Sequence, residues 1–296
     1  MPTRLSREFL YDLYRTYQRD LESLTVFDDA RAFGGAYHKE ERRILYMMVR
    51  HAAPELIVEF SPKHGLSTAH MALALEHNGR GGILSFEWGY RHVRRAYQNL
   101  KRHGLSHRVE FMLGDVRVEL RRALQRRAGA ARHGLELVFI DCDHGDEFAR
   151  WYLGALFPYV RGEGLVHIHD ILTDPLAPRA GLPLSPTDEE LEVRRFLGAR
   201  RDDYEWLSVG DCVADAAYLA AVRPFGGGDV ALGADAAHFA GSAISHEWNS
   251  SLWLRKRVER ESEAIVPVPF TPLRPPPLKA LVYHWRRRRL ARMQRS

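Results

Sequence analysis

Lysine is nearly absent from this 296-residue chain, standing only at 39, 63, 101, 256 and 279, so its cations are almost all arginine. That bias fits codon usage better than nucleic-acid binding. Cysteine is rarer still, with Cys142 and Cys212 alone. Two such residues make no disulfide framework, and a reducing cytoplasm is the default compartment. No apolar run approaches the ~20 residues that span a bilayer, and the amino terminus, with Arg4, Arg7 and Asp12, lacks the apolar stretch of a signal sequence. Two nucleotide fingerprints are also missing: there is no Gly-x-Gly-x-x-Gly after a strand and no phosphate loop ending in Gly-Lys-Ser/Thr.

What is present is an ordinary globular composition, 45% hydrophobic, ample for a core. The net charge of +5 is concentrated near the end, at Arg286-Arg287-Arg288-Arg289. Residues 1–50 read as a helical cap, with Leu10, Leu13, Tyr14 and Tyr17 at helical spacing and a second helix after Lys39, separated by Gly34-Gly35. From residue 55 short apolar runs alternate with amphipathic stretches. Strands are expected at 56–60, 82–87, 109–113, 135–141 and 165–170, with helices at 67–77, 91–103, 116–127 and 147–159 between them. Such alternation predicts an α/β fold with a doubly wound, mostly parallel sheet. Further on, the pattern predicts a Pro-rich loop at 175–186, a helix at 188–197, strands at 204–209, 218–222 and 251–254, and a loop at Gly226-Gly227-Gly228. The divisions are a cap at 1–50, a catalytic domain at 51–258, and a Pro-rich linker with a basic tail at 259–296.

The chemistry collects at strand ends, where open α/β sheets bind ligands. The first strand runs Val58-Glu59-Phe60 into the turn Ser61-Pro62-Lys63-His64-Gly65, then into a helix opening Leu66-Ser67-Thr68, whose free N–H groups face the crevice. The second ends in Glu87, an acid able to accept from ribose hydroxyls, and the third in Gly114-Asp115, an acid suited to an adenine amino group. The fourth reads Ile140-Asp141-Cys142-Asp143-His144 and the fifth Ile168-His169-Asp170. Taken singly, Asp143 also suits a helix N-cap, and His167 and His169 suit packed strand residues. Two carboxylates at neighbouring strand ends, Asp141 and Asp170, repel unless a cation or a proton joins them.

In this order the residues resemble the class I S-adenosylmethionine-dependent methyltransferases, over roughly residues 37–256, and most of all their small-molecule O-methyltransferase branch with its macrocin-type and catechol-type members. The resemblance implies a Rossmann-like, seven-stranded sheet under an N-terminal helical cap. It also implies S-adenosylmethionine as cofactor, held by Glu59, Ser61, Lys63, Gly65, Ser67, Thr68, Glu87, Asp115 and Asp141. Ser61 stands where the family has its first glycine, and Gly65 alone keeps that pattern. Asp141, His169 and Asp170 take the positions of a divalent-metal site for Mg or Mn, with imidazole where the relatives have an oxygen ligand. A soft nitrogen weakens the magnesium case.

Methyl transfer to a hydroxyl requires that the oxygen lose its proton. Asp143 holds the family's base position, and His144 is an equally reachable base. The expected activity is O-methylation of a small-molecule hydroxyl, on a sugar or a natural product. Two other functions fit the same residues: a metal-dependent hydrolase or hydroxylase using Asp141, His169 and Asp170, and a non-catalytic scaffold acting through its helices and tail. His246, Glu247, Trp248 and Asn249 fall near the substrate opening, and Tyr37-His38 near a lid. The tail, with Leu281, Val282, Trp285 and Leu290 among arginines, has the pattern of a basic amphipathic helix, although a charge run is usually a solvated end. A small-molecule partner is expected, neither nucleic acid nor a membrane surface is, and a homo-oligomer is compatible with the chain.

Overall fold

A computed structural model of the protein describes residues 4–28, 30–33, 37, 39–127, 129, 131–172, 186–228, 250–271 and 286–295. His38, the Gly34-Gly35 break, most of the Pro-rich loop and His246 to Asn249 lie outside them. The chain opens with α1 (Arg7–Tyr17), α2 (Ala30–Phe33) and α3 (Lys39–Ala52), with a 3-10 stretch at Leu21–Phe27. α1 begins at Ser6, whose hydroxyl accepts from Phe9 N–H.

The alternating segment follows as β1 (Leu56–Phe60), α4 (Leu66–Asn78), β2 (Gly82–Glu87), α5 (Tyr90–Arg102), β3 (Val109–Leu113), α6 (Val116–Arg126), β4 (Leu135–Ile140), α7 (Asp146–Trp151) and β5 (Val160–Leu172). Then come α8 (Asp188–Ala199), β6 (Tyr204–Ser208), α9 (Val209–Val213), α10 (Ala216–Val222) and β7 (Ser250–Lys256). The seven strands form one sheet in the order β3-β2-β1-β4-β5-β7-β6. Pairings from β3 through β5 are parallel, while β7 runs antiparallel between β5 and β6.

Both faces of the sheet are covered, which is why its strands read as continuous apolar runs. Within each strand the side chains still divide by period two. Ile57, Ile83, Leu137 and Phe139 pack with α1, α3, α4 and α5. Val58, Phe60, Leu84, Phe86, Val138 and Ile140 pack with α6, α7 and α8. The cap helices therefore share a core with the sheet.

Three segments depart from the sequence pattern. Residues 218–222, expected as a strand, are the second half of α10: Asp215 accepts from Ala217 and Tyr218 N–H and so starts a helix, and Tyr218 and Val222, both buried, share one helical face. The helix expected over 147–159 is α-helical only to Trp151, after which Tyr152–Leu156 widens into a π-helical turn and Phe157–Tyr159 tightens into a 3-10 turn. The basic tail is drawn into the fold: residues 286–293 are helical, Leu290 is buried, and Arg287 pairs with Glu119. Gln294 bonds both main-chain groups of Phe111, covering the outer edge of β3, an edge that would otherwise be open to pairing.

Candidate active site

β1 and β4 are neighbours, with Phe60 opposite Ile140, although three helices and two strands separate them in sequence. This is the point where the strand order reverses, and the turn after β1 and the acids after β4 open there onto one crevice.

The turn after β1 holds left-handed backbone at Ser61 (φ 59°), Lys63 (φ 49°) and Gly65 (φ 87°). Only the third is glycine, for which such φ carries no steric cost. The glycine pattern is lost from the sequence while its conformation is kept. Ser61 N–H donates to Phe86 O at 2.7 Å and Gly65 N–H to Pro62 O at 2.6 Å. The cap braces the turn: His64 Nδ1 lies 2.9 Å from Phe33 O, and Asn99 donates to Ala32 O and His64 O. At Gly65 a Cβ would stand 3.1 Å from Ala96 Cβ.

Beneath the turn lies Glu59, wholly buried, accepting from Ser67 Oγ at 2.7 Å, Thr68 Oγ1 at 2.8 Å and Ser85 Oγ at 2.6 Å. Burial pushes its carboxyl up to about 7, against the pull of the three hydroxyls. Glu59, Ser67 and Thr68 thus fasten α4 to β1 and β2. Glu87 is different: Oε1 accepts Gly89 N–H at 2.7 Å, and Oε2 is buried with no hydrogen-bond partner among the described residues. Asp115 caps α6 and grips Arg117, which reaches on to Glu147 and lies over the Phe270 ring. An adenine amino group would share that carboxylate with the guanidinium.

On the other side of the crevice Asp141, His144 and Asp170 bring one potential ligand atom each within 4.8 Å of one another. Neighbouring residues of a regular strand face opposite ways. His169 and Asp170 nevertheless converge, because Asp170 adopts φ 51° where the β5–β7 pairing shifts between Ile168 and Leu172. His169 is buried, with Nδ1 3.4 Å from Asp141 Oδ1 and 3.2 Å from Asp170 Oδ2, and Nε2 3.5 Å from Glu41 Oε2. Burial opposes its charge, but Asp170 and Asp141 outweigh burial and hold its pKa well above the usual imidazole value. Asp141 is lowered, burial resisting and His169 prevailing. Asp170 is raised, by burial against the attraction of His169. His167 is an interior residue between Phe139 and Trp253, and burial drives its pKa down to about 3.

His144 carries a pair of its own. Its Nδ1 lies 2.8 Å from Glu189 Oε2, Glu189 N–H donates to His144 O at 3.2 Å, and Tyr152 Oη–H donates to Glu189 Oε1 at 2.9 Å. Burial would lower the His144 pKa, but Glu189, with Asp170 and Asp141 adding to it, raises it above the usual imidazole value. Asp143, by contrast, is exposed and its Oδ1 accepts Gly145 N–H at the start of α7.

Glu189, Tyr152 and Glu41 were not singled out from sequence, whereas Tyr37, expected near a lid, is buried with its hydroxyl 3.3 Å from His167 Nε2 and its ring edge-on to His169. The helix expected at 188–197 does begin there, capped by Thr187, whose hydroxyl accepts from Glu190 N–H. An acid in a first turn, however, reads as a complement to the helix dipole. A cavity of about 460 Å³, lined by Arg80, Arg108 and Arg127 among others, lies at the amino ends of β1 to β3, away from this chemistry. Among the described residues no helix is long and apolar enough to cross a membrane.

Residues 58–171 match a family model described as a methyltransferase domain. No curated protein matches the chain. Among solved structures, the O-methyltransferase TomG from Streptomyces achromogenes, involved in tomaymycin synthesis and solved in complex with SAM, is 16% identical with a TM-score of 0.50, over 80% of this chain and 88% of that one. An O-methyltransferase from Bacillus cereus in complex with SAH is 16% identical with a TM-score of 0.48, over 80% of this chain and 90% of that one. At such identity the TomG likeness establishes the fold, which is that of the class I methyltransferases.

Proposed function

We propose that the protein, whose residues 58–171 match a methyltransferase-domain model and lie on a seven-stranded sheet of that fold, binds S-adenosylmethionine and methylates a hydroxyl of a small molecule such as a sugar or a natural product. One observation carries this reading. A glycine-type turn at Ser61, Lys63 and Gly65 faces Glu87, whose Oε2 is buried and lacks a partner. A buried carboxylate oxygen left unpaired is costly, and a ribose hydroxyl would satisfy it.

Bound S-adenosylmethionine supplies an electrophilic methyl group. The remaining work falls to the chain. The turn lets the backbone approach the cofactor, and Glu87 orients its ribose. His144 takes the hydroxyl proton at Nε2, since Nδ1 is engaged by Glu189, whereas the Asp143 carboxylate turns back to the α7 start. A divalent cation is not required in this reading. The imidazolium of His169 already lies between Asp141 and Asp170 and compensates their charge.

Calorimetry with S-adenosylhomocysteine tests the cofactor claim. The protein should bind it, and Glu87→Ala should weaken binding by roughly tenfold or more, the equivalent of one charged hydrogen-bond pair. Absent binding, or binding undiminished in the variant, would refute the reading. Incubation with S-adenosylmethionine labelled in its methyl group and a metabolite extract then reveals the acceptor.

A further inference from the structure

We propose that Glu189, held by Tyr152, is a positioning residue that fixes the tautomer and direction of His144, an inference that rests on His144 being the base. Three features support it. Glu189 sits on α8 with 1% of its surface exposed, yet both carboxylate oxygens are engaged, one by His144 Nδ1 and one by Tyr152 Oη. The pair is closed a second time by the Glu189 N–H bond to His144 O, which ties the α8 start to the loop that carries His144. And Tyr152 opens the π-helical turn after α7, a local widening of the kind that recurs where a helix must present a side chain to a site.

A carboxylate can accept from imidazole but cannot donate to it. Glu189 therefore places the proton of neutral His144 on Nδ1 and leaves the Nε2 lone pair as the only proton acceptor. That lone pair belongs to a group already within 4.8 Å of Asp141 and Asp170 across the crevice. In the transfer the acceptor oxygen would bond to the methyl carbon as that carbon's bond to sulfur breaks, with neutral S-adenosylhomocysteine leaving; the hydroxyl proton goes to Nε2, and the resulting imidazolium is stabilised by the carboxylate behind it, the arrangement of a hydroxyl, an imidazole and a buried acid that recurs on unrelated folds. The phenol of Tyr152 holds the second oxygen so that Glu189 cannot rotate away.

The ring-nitrogen correlations of ¹⁵N-histidine-labelled protein test the tautomer directly. In the full chain His144 should carry its proton on Nδ1. Glu189→Ala should shift it toward the Nε2–H form that predominates for a free imidazole, and Glu189→Gln, which retains an acceptor oxygen of the same shape, should restore Nδ1–H. Tyr152→Phe, which removes one oxygen atom and is the fallback if Glu189→Ala does not fold, should give a mixture. S-adenosylhomocysteine affinity should stay within about twofold throughout.

Incorporation of labelled methyl into the metabolite extract supplies the second readout. Glu189→Ala should slow it roughly tenfold or more, and in His144→Ala the added Glu189→Ala change should cost nothing further, because the two act as one unit. An Nε2–H tautomer in the unaltered protein, a tautomer indifferent to Glu189→Ala, or losses that multiply in the double variant would each overturn the proposal. If the unaltered protein transfers no methyl, the methyltransferase reading fails while the tautomer result still decides the role of Glu189. If His144→Ala transfers at full rate, His144 is not the base and the proposal falls with it.

Discussion

Glu59 shows how one residue couples the site to stability. Its folded pKa of about 7 stands above the ordinary carboxylate value of 4.5 because it is wholly buried. A group whose pKa rises on folding stabilises the protein while it is protonated. The contribution is complete below the unfolded pKa and is lost as pH climbs through the folded one. Stability should therefore decline between about pH 4.5 and 7 by on the order of 3 kcal/mol from this residue. In Glu59→Gln, whose amide has the same shape and no charge, urea denaturation across that range should lose this component of the slope. An unchanged slope would mean that the three hydroxyls hold the carboxylate ionised throughout.

The turn after β1 and the C-terminal helix act as elements. Ser61 and Lys63 hold a left-handed backbone that costs a side-chain-bearing residue ~1–2 kcal/mol, partly offset by the unfolded-state entropy a glycine would add. Lys63→Gly should stabilise the protein by ~0.5–1 kcal/mol in chemical denaturation. Gly65→Ala should do the reverse, since φ is 87° and the new methyl would meet Ala96 at 3.1 Å. A loss of ~1–3 kcal/mol is expected there. At the other end, Leu290 anchors the helix whose Gln294 covers the β3 edge. Leu290→Ala should cost ~2–4 kcal/mol and raise hydrogen exchange at Phe111, whose N–H donates to Gln294. Protection at Phe111 that survives the change would show that the helix docks without its leucine.

For the molecule as a whole, charge at the crevice is balanced by groups drawn from several elements. His169 lies between Asp141 and Asp170 on one side and Glu41 of α3 on the other, so the cap supplies part of the charge balance at the catalytic end of the sheet. Methyl transfer measured before and after exhaustive chelation should be equal within about twofold. Loss of activity on chelation, with recovery on adding Mn²⁺ or Mg²⁺, would instead make Asp141, His144 and Asp170, the converging groups, a metal site. Against burial, the His144 imidazole is held above its usual pKa by Glu189 of α8 together with Asp170 and Asp141, so its charge environment is assembled from α8 and the ends of β4 and β5.

By itself the sequence determined the class of fold, because strands buried on both faces must be apolar throughout and their helices must show a 3.6-residue stripe; Leu56–Phe60 and Arg91 to Leu100 read that way without help. It also determined that acids end successive strands, since Glu87, Asp115, Asp141 and Asp170 each follow or close an apolar run. It did not reveal the α10 helix, where buried Tyr218 and Val222 mimic a strand, nor the antiparallel entry of β7 between β5 and β6. Only the tertiary structure decided which of the polar groups touch. The glycine-type turn at Ser61 and Lys63 is a matter of φ, which residue identity does not fix when the cap braces it from outside. Convergence of His169 with Asp170 needs a left-handed residue inside a strand, contrary to the alternation that a sequence pattern assumes. And the pairing of His144 with Glu189 joins residues 45 positions apart, a contact set by how α8 packs on β5 and α7 and by nothing local to either residue.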